Sequence, residues 1–385
     1  MSAAVLINGR VLTPDGWRDD LAVHVEGARI ARLTAQTAAL TRGTGTHDLE
    51  GRYLLPGFID CQVNGGGGVL FNDQPNVDGI RAIAAAHRRL GTTGLLPTLI
   101  SDSAEVMRSA VAAVDTAIGA LTPGVLGIHL EGPYLAPTRK GVHDTDALRA
   151  PTAAEIIDIT SLRLGRTLLT LAPERVGPET LRALTAAGVI VAAGHTAGNY
   201  AAVRGALDRG VRGFTHLFNA MTQLGSREPG AVGAALEDRA SWCGVIVDGR
   251  HVHPATLRVA LAAKPRGKLF LVSDAMPPVG STQQTFTLHG ETITVRNGAC
   301  ETAQGVLAGS VLSMGDAVRN CVRLLGLPLD EAVRMASTYP ADFLGLEKSH
   351  GRIASGCQAD FTVMDEDYSV HETWIGGRCE RAQFN

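Results

Sequence analysis

Short apolar runs alternate with amphipathic stretches through the middle of the chain. The runs lie within 55–64 (LPGFIDCQVN) and in GLLPTLI, GVLGIHLEGP, TLLTLAPE, VIVAAGHT, GFTHLFNAM, CGVIVDG and KLFLVSDAMPP. They are continuous rather than alternating, the pattern of strands buried on both faces of a parallel sheet. Between most of them the apolar spacing becomes helical, at 77–90, 103–120, 151–163 and 178–188. Eight strands joined largely by helices predict an α/β fold, a (β/α)8 TIM-like barrel over residues 55–350.

The two ends of the chain read differently. Residues 5–54 form short strand-like pieces, and Asn8-Gly9 and Glu26-Gly27 carry hairpin signals. From Gly351 the same style returns in FTVMD and HETWIGGRCE, with Gly376-Gly377 at a turn. We expect residues 1–54 and 351–385 to build one small β-sandwich domain together, with two separate flaps as the alternative. TFTLHGETITVRNGAC alternates like a β-hairpin inserted near 281–305, after the eighth strand. SVLSMGDAVRNCVRLLG and DEAVRMASTYPADFLG then supply closing helices.

Composition narrows the function. The 385 residues carry a formal charge of −3, which offers nothing to nucleic acid or an anionic membrane. No apolar run is long enough to span a bilayer, and the N-terminus lacks the apolar core of a signal peptide. Six scattered cysteines contain no C-x-x-C pair, against a disulfide framework or a zinc knuckle. A cytoplasmic protein is expected.

Barrel chemistry sits at the C-terminal ends of the strands. There the chain places Glu131, His195, His216 and Asp274. One carboxylate and two imidazoles suit a catalytic metal with an open water position, and Asp274 would stand opposite as a proton carrier. Gln62 and Asn64 alternate on the first strand and so share a face. Taken singly, most polar residues have plainer readings. His129 reads as a packing residue and Cys61 as buried core. Glu174 reads as a loop carboxylate before a ligand, and Arg227 as a solvated loop charge paired with Glu228. His253 reads as a surface or packing residue, and Gly65–Gly68 as a tight connection before a phosphate cradle.

The first-strand run resembles that of the amidohydrolase superfamily, which has His-x-His after Pro-Gly-x-Ile-Asp; here Gln62 and Asn64 stand in those places. HLEGPYLAPTRKGVH, GHTAGNY, THLFNAM, REPG, DGRHVHP, LVSDAMPP and LAGS together resemble the N-acetylglucosamine-6-phosphate deacetylase family, over nearly the whole chain. The resemblance implies that Glu131, His195 and His216 hold the metal, that Asp274 is the acid/base, and that His143 meets the acetyl carbonyl. It implies substrate contacts from Gly132, Asn219, Ala220 and Leu307, and a phosphate grip from His251 and Arg227. Arg227 would reach across a homodimer interface. Gln62 and Asn64 imply one metal per subunit, with the second-metal position vacated. Zn2+ comes first, and Fe2+, Co2+ or Mn2+ also suit the donors.

The implied reaction is hydrolysis of the acetamide of N-acetyl-D-glucosamine 6-phosphate. Alternatives are the galactosamine epimer, another N-acyl substrate, or a non-catalytic binding protein on the same fold. A cyclic-amide hydrolase with two metals bridged by a modified lysine fits less well, because TLLTLAPE has no Lys.

Overall fold

The computed structural model describes residues 3–37 and 45–381; the outermost residues of the two terminal segments lie outside that range. Eight strands form one parallel sheet in chain order: β1 (Phe58–Val63), β2 (Thr92–Ile100), β3 (Gly127–Glu131), β4 (Arg166–Leu171), β5 (Ile190–Ala193), β6 (Gly213–Phe214), β7 (Trp242–Val245) and β8 (Leu269–Leu271). The sheet closes on itself just past the end of β8. Val63 bridges Ala275 in parallel, and Asp274 N–H donates to the Gln62 carbonyl at 3.0 Å. The expected barrel is therefore present.

Its helices follow the apolar periodicity. Residues Val77–Arg88 start where Asn76 Oδ1 caps the N–H groups of Asp78 and Gly79. Residues Ala153–Ile159 start on a reciprocal Thr152/Glu155 capping box. The last predicted helix is broken at Ser337 into Leu329–Ala336 and Thr338–Phe343.

Both chain ends contribute to a pair of sheets beside the barrel. One orders Arg29–Ala35, Leu21–Glu26, Ala3–Ile7 and Thr46–Asp48. The other orders Arg378–Arg381, Val370–Ile375, Phe361–Met364, Tyr53–Pro56, Arg10–Thr13 and Gly16–Arg18. Leu6, Val23, Ile30, Leu54, Phe361 and Trp374 share one buried cluster between them. A single residue, Gly57, separates the sandwich strand from barrel strand β1. A Cβ there would lie 2.1 Å from Thr93 Oγ1, so only glycine lets the two layers meet so closely.

Two expectations need correction. Asn8-Gly9 is not a hairpin turn. Asn8 has φ 54°, and the chain crosses there from one sheet to the other, Ala3–Ile7 pairing in the first and Arg10–Thr13 in the second. A Cβ on Gly9 would lie 2.4 Å from Leu49 Cδ1, so the pair serves a close crossing. The insertion after β8 is also larger than a hairpin. It is a four-stranded antiparallel sheet of Thr285–Leu288, Glu291–Arg296, Ala299–Glu301 and Leu307–Ser310. Its own small core includes Leu288, Ile293, Cys300 and Ala308.

Candidate metal centre and active-site pocket

The C-terminal ends of the strands surround a pocket of about 370 Å³. Glu131 ends β3, while His195 and His216 follow β5 and β6. Glu131 Oε1 lies 3.2 Å from His195 Nε2 and 3.0 Å from His216 Nε2, and the two nitrogens lie 3.0 Å apart. All three side chains are buried. Around a zinc ion with bonds of about 2.0–2.1 Å, tetrahedral donors stand about 3.3–3.4 Å apart, close to this triangle. The Arg139 carbonyl accepts a hydrogen bond from His195 Nδ1 at 2.8 Å. That bond leaves the Nε2 lone pair of neutral His195 facing a carboxylate oxygen, which is repulsive unless a cation or a proton lies between. The donor set therefore fits a divalent metal.

The backbone is bent to aim these groups. His195 (φ 47°), His216 (φ 33°), Ala220 (φ 49°) and Asp274 (φ 54°) all occupy the left-handed region, unusual for non-glycine residues. Such conformations concentrate where function fixes a side-chain direction.

Asp274 lines the same pocket. Its Oδ1 accepts from Gln62 Nε2 at 3.0 Å and from Asn64 Nδ2 at 2.7 Å, and Gln62 Nε2 also reaches Glu131 Oε1 at 3.1 Å. The Gln62 amide thus joins two carboxylates that would otherwise repel, and Asn64 adds a second bond to Asp274. Asp274 Oδ2 has no protein partner among the described residues and remains available to the pocket. Burial, then the charge of Glu131, pushes the Asp274 carboxyl above its usual range. Burial acts the same way on Glu131, but the two imidazoles outweigh it and hold that carboxyl well below its usual range.

His143 is buried against Ser101. The Ser101 backbone N–H donates to His143 Nδ1 at 3.2 Å, and the Ser101 hydroxyl lies 2.8 Å from the same nitrogen. Nδ1 is therefore an acceptor, and the ring proton sits on Nε2. Burial, then the charge of nearby His195, keeps this imidazole well below its usual pKa and hence neutral. A neutral Nε2–H is a donor suited to a carbonyl oxygen.

His251 also lines the pocket, its Nδ1 lying 2.6 Å from Asp248 Oδ2. Asn219, Ala220 and Leu307 line it as well, Leu307 from the last strand of the insertion. Gly132 and Arg227 do not. Gly132 has φ 90°, and a Cβ there would meet Ser101 Oγ at 2.3 Å. Arg227 is exposed outside the pocket. Its neighbour Glu228 is no ion-pair partner for it, since Glu228 Oε1 accepts from the N–H groups of Tyr200 and Gly230 instead.

The remaining candidates fall elsewhere. His129 lies in a buried chain of hydrogen bonds, Thr98 to His129 to Thr170 to Thr215, one layer beneath the triad. Glu174 accepts from Thr196 Oγ1 and Ala197 N–H and so ties down the loop after His195. His253 caps the helix Pro254–Ala263, and Cys61 is buried in the barrel core. Gly65–Gly68 make a tight ribbon in which Gly67 (φ 62°) and Gly68 (φ 85°) supply the turn. Ser101, Arg139 and Asp248 escaped sequence reasoning. Only their position beside His143, His195 and His251 gives them a part, and no local motif signals it.

A barrel with a Glu/His/His cluster and a carboxylate beside it at its C-terminal face defines a metal-dependent hydrolase. The Amidohydrolase family model matches residues 53–379, and the chain belongs to that family. It is 41% identical over 380 residues to the N-acetylgalactosamine-6-phosphate deacetylase of Shewanella sp. (strain ANA-3), covering 97% of this chain and 96% of that one. It is 39% identical over 392 residues to the N-acetylglucosamine-6-phosphate deacetylase of Homo sapiens, covering 97% and 93%. The crystal structure of N-acetylglucosamine-6-phosphate deacetylase from Pasteurella multocida superposes with a TM-score of 0.95 at 32% identity, covering 98% of this chain and all of that one. Among the described residues, no helix is long and apolar enough to cross a membrane.

Proposed function

We propose that the chain hydrolyses the acetamide of N-acetyl-D-glucosamine 6-phosphate, giving acetate and D-glucosamine 6-phosphate. The observation that carries this reading is the convergence of Glu131, His195 and His216 beside Asp274, in one pocket with His143. A divalent ion held by the triad, one per subunit and Zn2+ in first place, would polarise the amide carbonyl and make water acidic enough to attack near neutral pH. Asp274 Oδ2 takes the proton from water as its oxygen bonds to the acyl carbon. Asp274 then returns that proton to the amide nitrogen as the C–N bond breaks. His143 Nε2–H donates to the acyl oxygen as negative charge develops there. Gln62 and Asn64 hold Asp274 in place through Oδ1, and in this reading they occupy the position of a second metal.

The phosphate would meet His251, and Arg227 from the other subunit of a homodimer. The exposure of Arg227 outside its own pocket suits that arrangement. Six free cysteines suit a reducing, cytoplasmic setting.

The galactosamine epimer is a second reading, favoured by the 41% identity to an N-acetylgalactosamine-6-phosphate deacetylase. Steady-state kcat/KM on the two 6-phosphates decides between them. At least a tenfold preference for the glucosamine epimer is expected if the pocket discriminates by one buried hydroxyl contact. The reverse preference installs the second reading, and turnover of neither sinks both.

A further inference from the structure

We propose that Arg139 is a substrate-positioning residue of this chain's own pocket, binding the 6-phosphate in cis; this rests on the phosphosugar reading above. Among the described residues that line the pocket, Arg139 is the only arginine or lysine. It is half-buried, and its guanidinium makes no hydrogen bond or ion pair among the described residues. The neighbouring cations are engaged or absent from the pocket. Lys140 Nζ donates to the His143 carbonyl at 3.1 Å, and Arg227 and Arg250 are exposed outside it.

A permanent cation partly withdrawn from water and left without a counter-ion is costly, unless an anionic ligand completes it. Of the pocket's own carboxylates, Glu131 is engaged by the two imidazoles and Asp274 Oδ1 by the two amides, and neither pairs with Arg139. A sugar phosphate, nearly dianionic at neutral pH, presents the oxygens that the guanidinium fork grips in two parallel bonds.

The main chain at this residue is anchored. Arg139 ends the short turn Pro137–Arg139, and its carbonyl accepts the His195 Nδ1 hydrogen bond at 2.8 Å. One residue therefore orients a metal ligand through its backbone and belongs to the pocket wall, with its guanidinium unpaired among the described residues. Replacing the side chain leaves the carbonyl in place, so the two roles separate cleanly.

The test compares wild type, Arg139→Gln and Arg139→Lys on N-acetyl-D-glucosamine 6-phosphate and on unphosphorylated N-acetyl-D-glucosamine, with bound metal measured on each protein. For Arg139→Gln, KM on the phosphorylated sugar should rise about 10–100-fold, the worth of a charged hydrogen-bonded pair. Its kcat should stay within about threefold, as expected for a contact made equally in ground and transition states. On the unphosphorylated sugar kcat/KM should move less than about twofold, metal content should not change, and Arg139→Lys should recover part of the loss. Equal losses on both sugars, a fall in bound metal, or an unchanged KM would each overturn the assignment. A wild type that does not prefer the phosphorylated sugar overturns the phosphosugar reading, and this inference with it.

Discussion

At the scale of single residues, the centre is organised by which atom of each side chain is already engaged. His195 donates from Nδ1 to a carbonyl, His143 accepts at Nδ1 from Ser101, and Asp274 accepts two amides at Oδ1. Each bond leaves one defined atom for chemistry: a lone pair, a ring proton and a carboxylate oxygen. Asp274→Asn keeps an Oδ1 acceptor for Gln62 and Asn64 but puts an NH2 in place of the oxygen proposed to take the proton. We expect kcat to fall about 10²–10⁴-fold with metal still bound, the range for losing a general base. Turnover near the wild-type rate in a metal-loaded Asp274→Asn protein would remove Asp274 from the mechanism. The triad and Asp274 were legible in the sequence because each sits one or two residues past an apolar run, a position the barrel turns into a common rim. Ser101 and Arg139 were not. They reach His143 and His195 through a backbone N–H and a backbone carbonyl, neither of which leaves a mark on local pattern.

At the scale of elements, local and long-range signals parted company in two places. Gly27, Gly376 and Gly377 sit in true hairpins, with register Glu26 to Arg29 and Ile375 to Arg378. Asn8-Gly9 carries the same local chemistry, yet its flanking strands pair elsewhere, because Ala3–Ile7 finds Leu21–Glu26 and Arg10–Thr13 finds Tyr53–Pro56. Strand pairing is a tertiary choice, and a turn dipeptide permits it without dictating it. The insertion exceeds a hairpin for a related reason: LAGS is too brief to register as a strand until its partner Ala299–Glu301 is in place.

The sandwich offers a test at this scale. Glu372, from the C-terminal segment, accepts from His47 and from Trp374 Nε1, joining strands from both ends of the chain. Burial alone would raise its pKa, but the His47 contact wins and holds it at about 2, below the ordinary 4.5. A carboxylate depressed in the folded state contributes stability that is complete above the unfolded value and lost as pH falls through the folded one. Glu372→Gln should therefore lower Tm by about 2–4 °C at pH 7, and its gap from wild type should narrow as the pH falls below 4.5 toward 2. Comparing variant with wild type cancels the acid sensitivity both share. A gap independent of pH would mean that the ion pair is not what Glu372 contributes.

At the scale of the whole molecule, the closed barrel gives the site its architecture. Eight strand ends bring together residues spread from Gln62 to Asp274, and closure through Val63 and Ala275 sets Asp274 beside Gln62 and Asn64. The sandwich joins β1 through Gly57, and the insertion lays Leu307 over the pocket. The amides at 62 and 64 are engaged with Asp274, and that at 62 also with Glu131, which in the proposed reading leaves a second metal without ligands on the first strand. The central claim is therefore a count. Titrating chelator-stripped protein with Zn2+ while following deacetylation of N-acetyl-D-glucosamine 6-phosphate should give activity that climbs linearly and breaks at one equivalent per chain. A break at two equivalents, or full activity with no metal added, would contradict it.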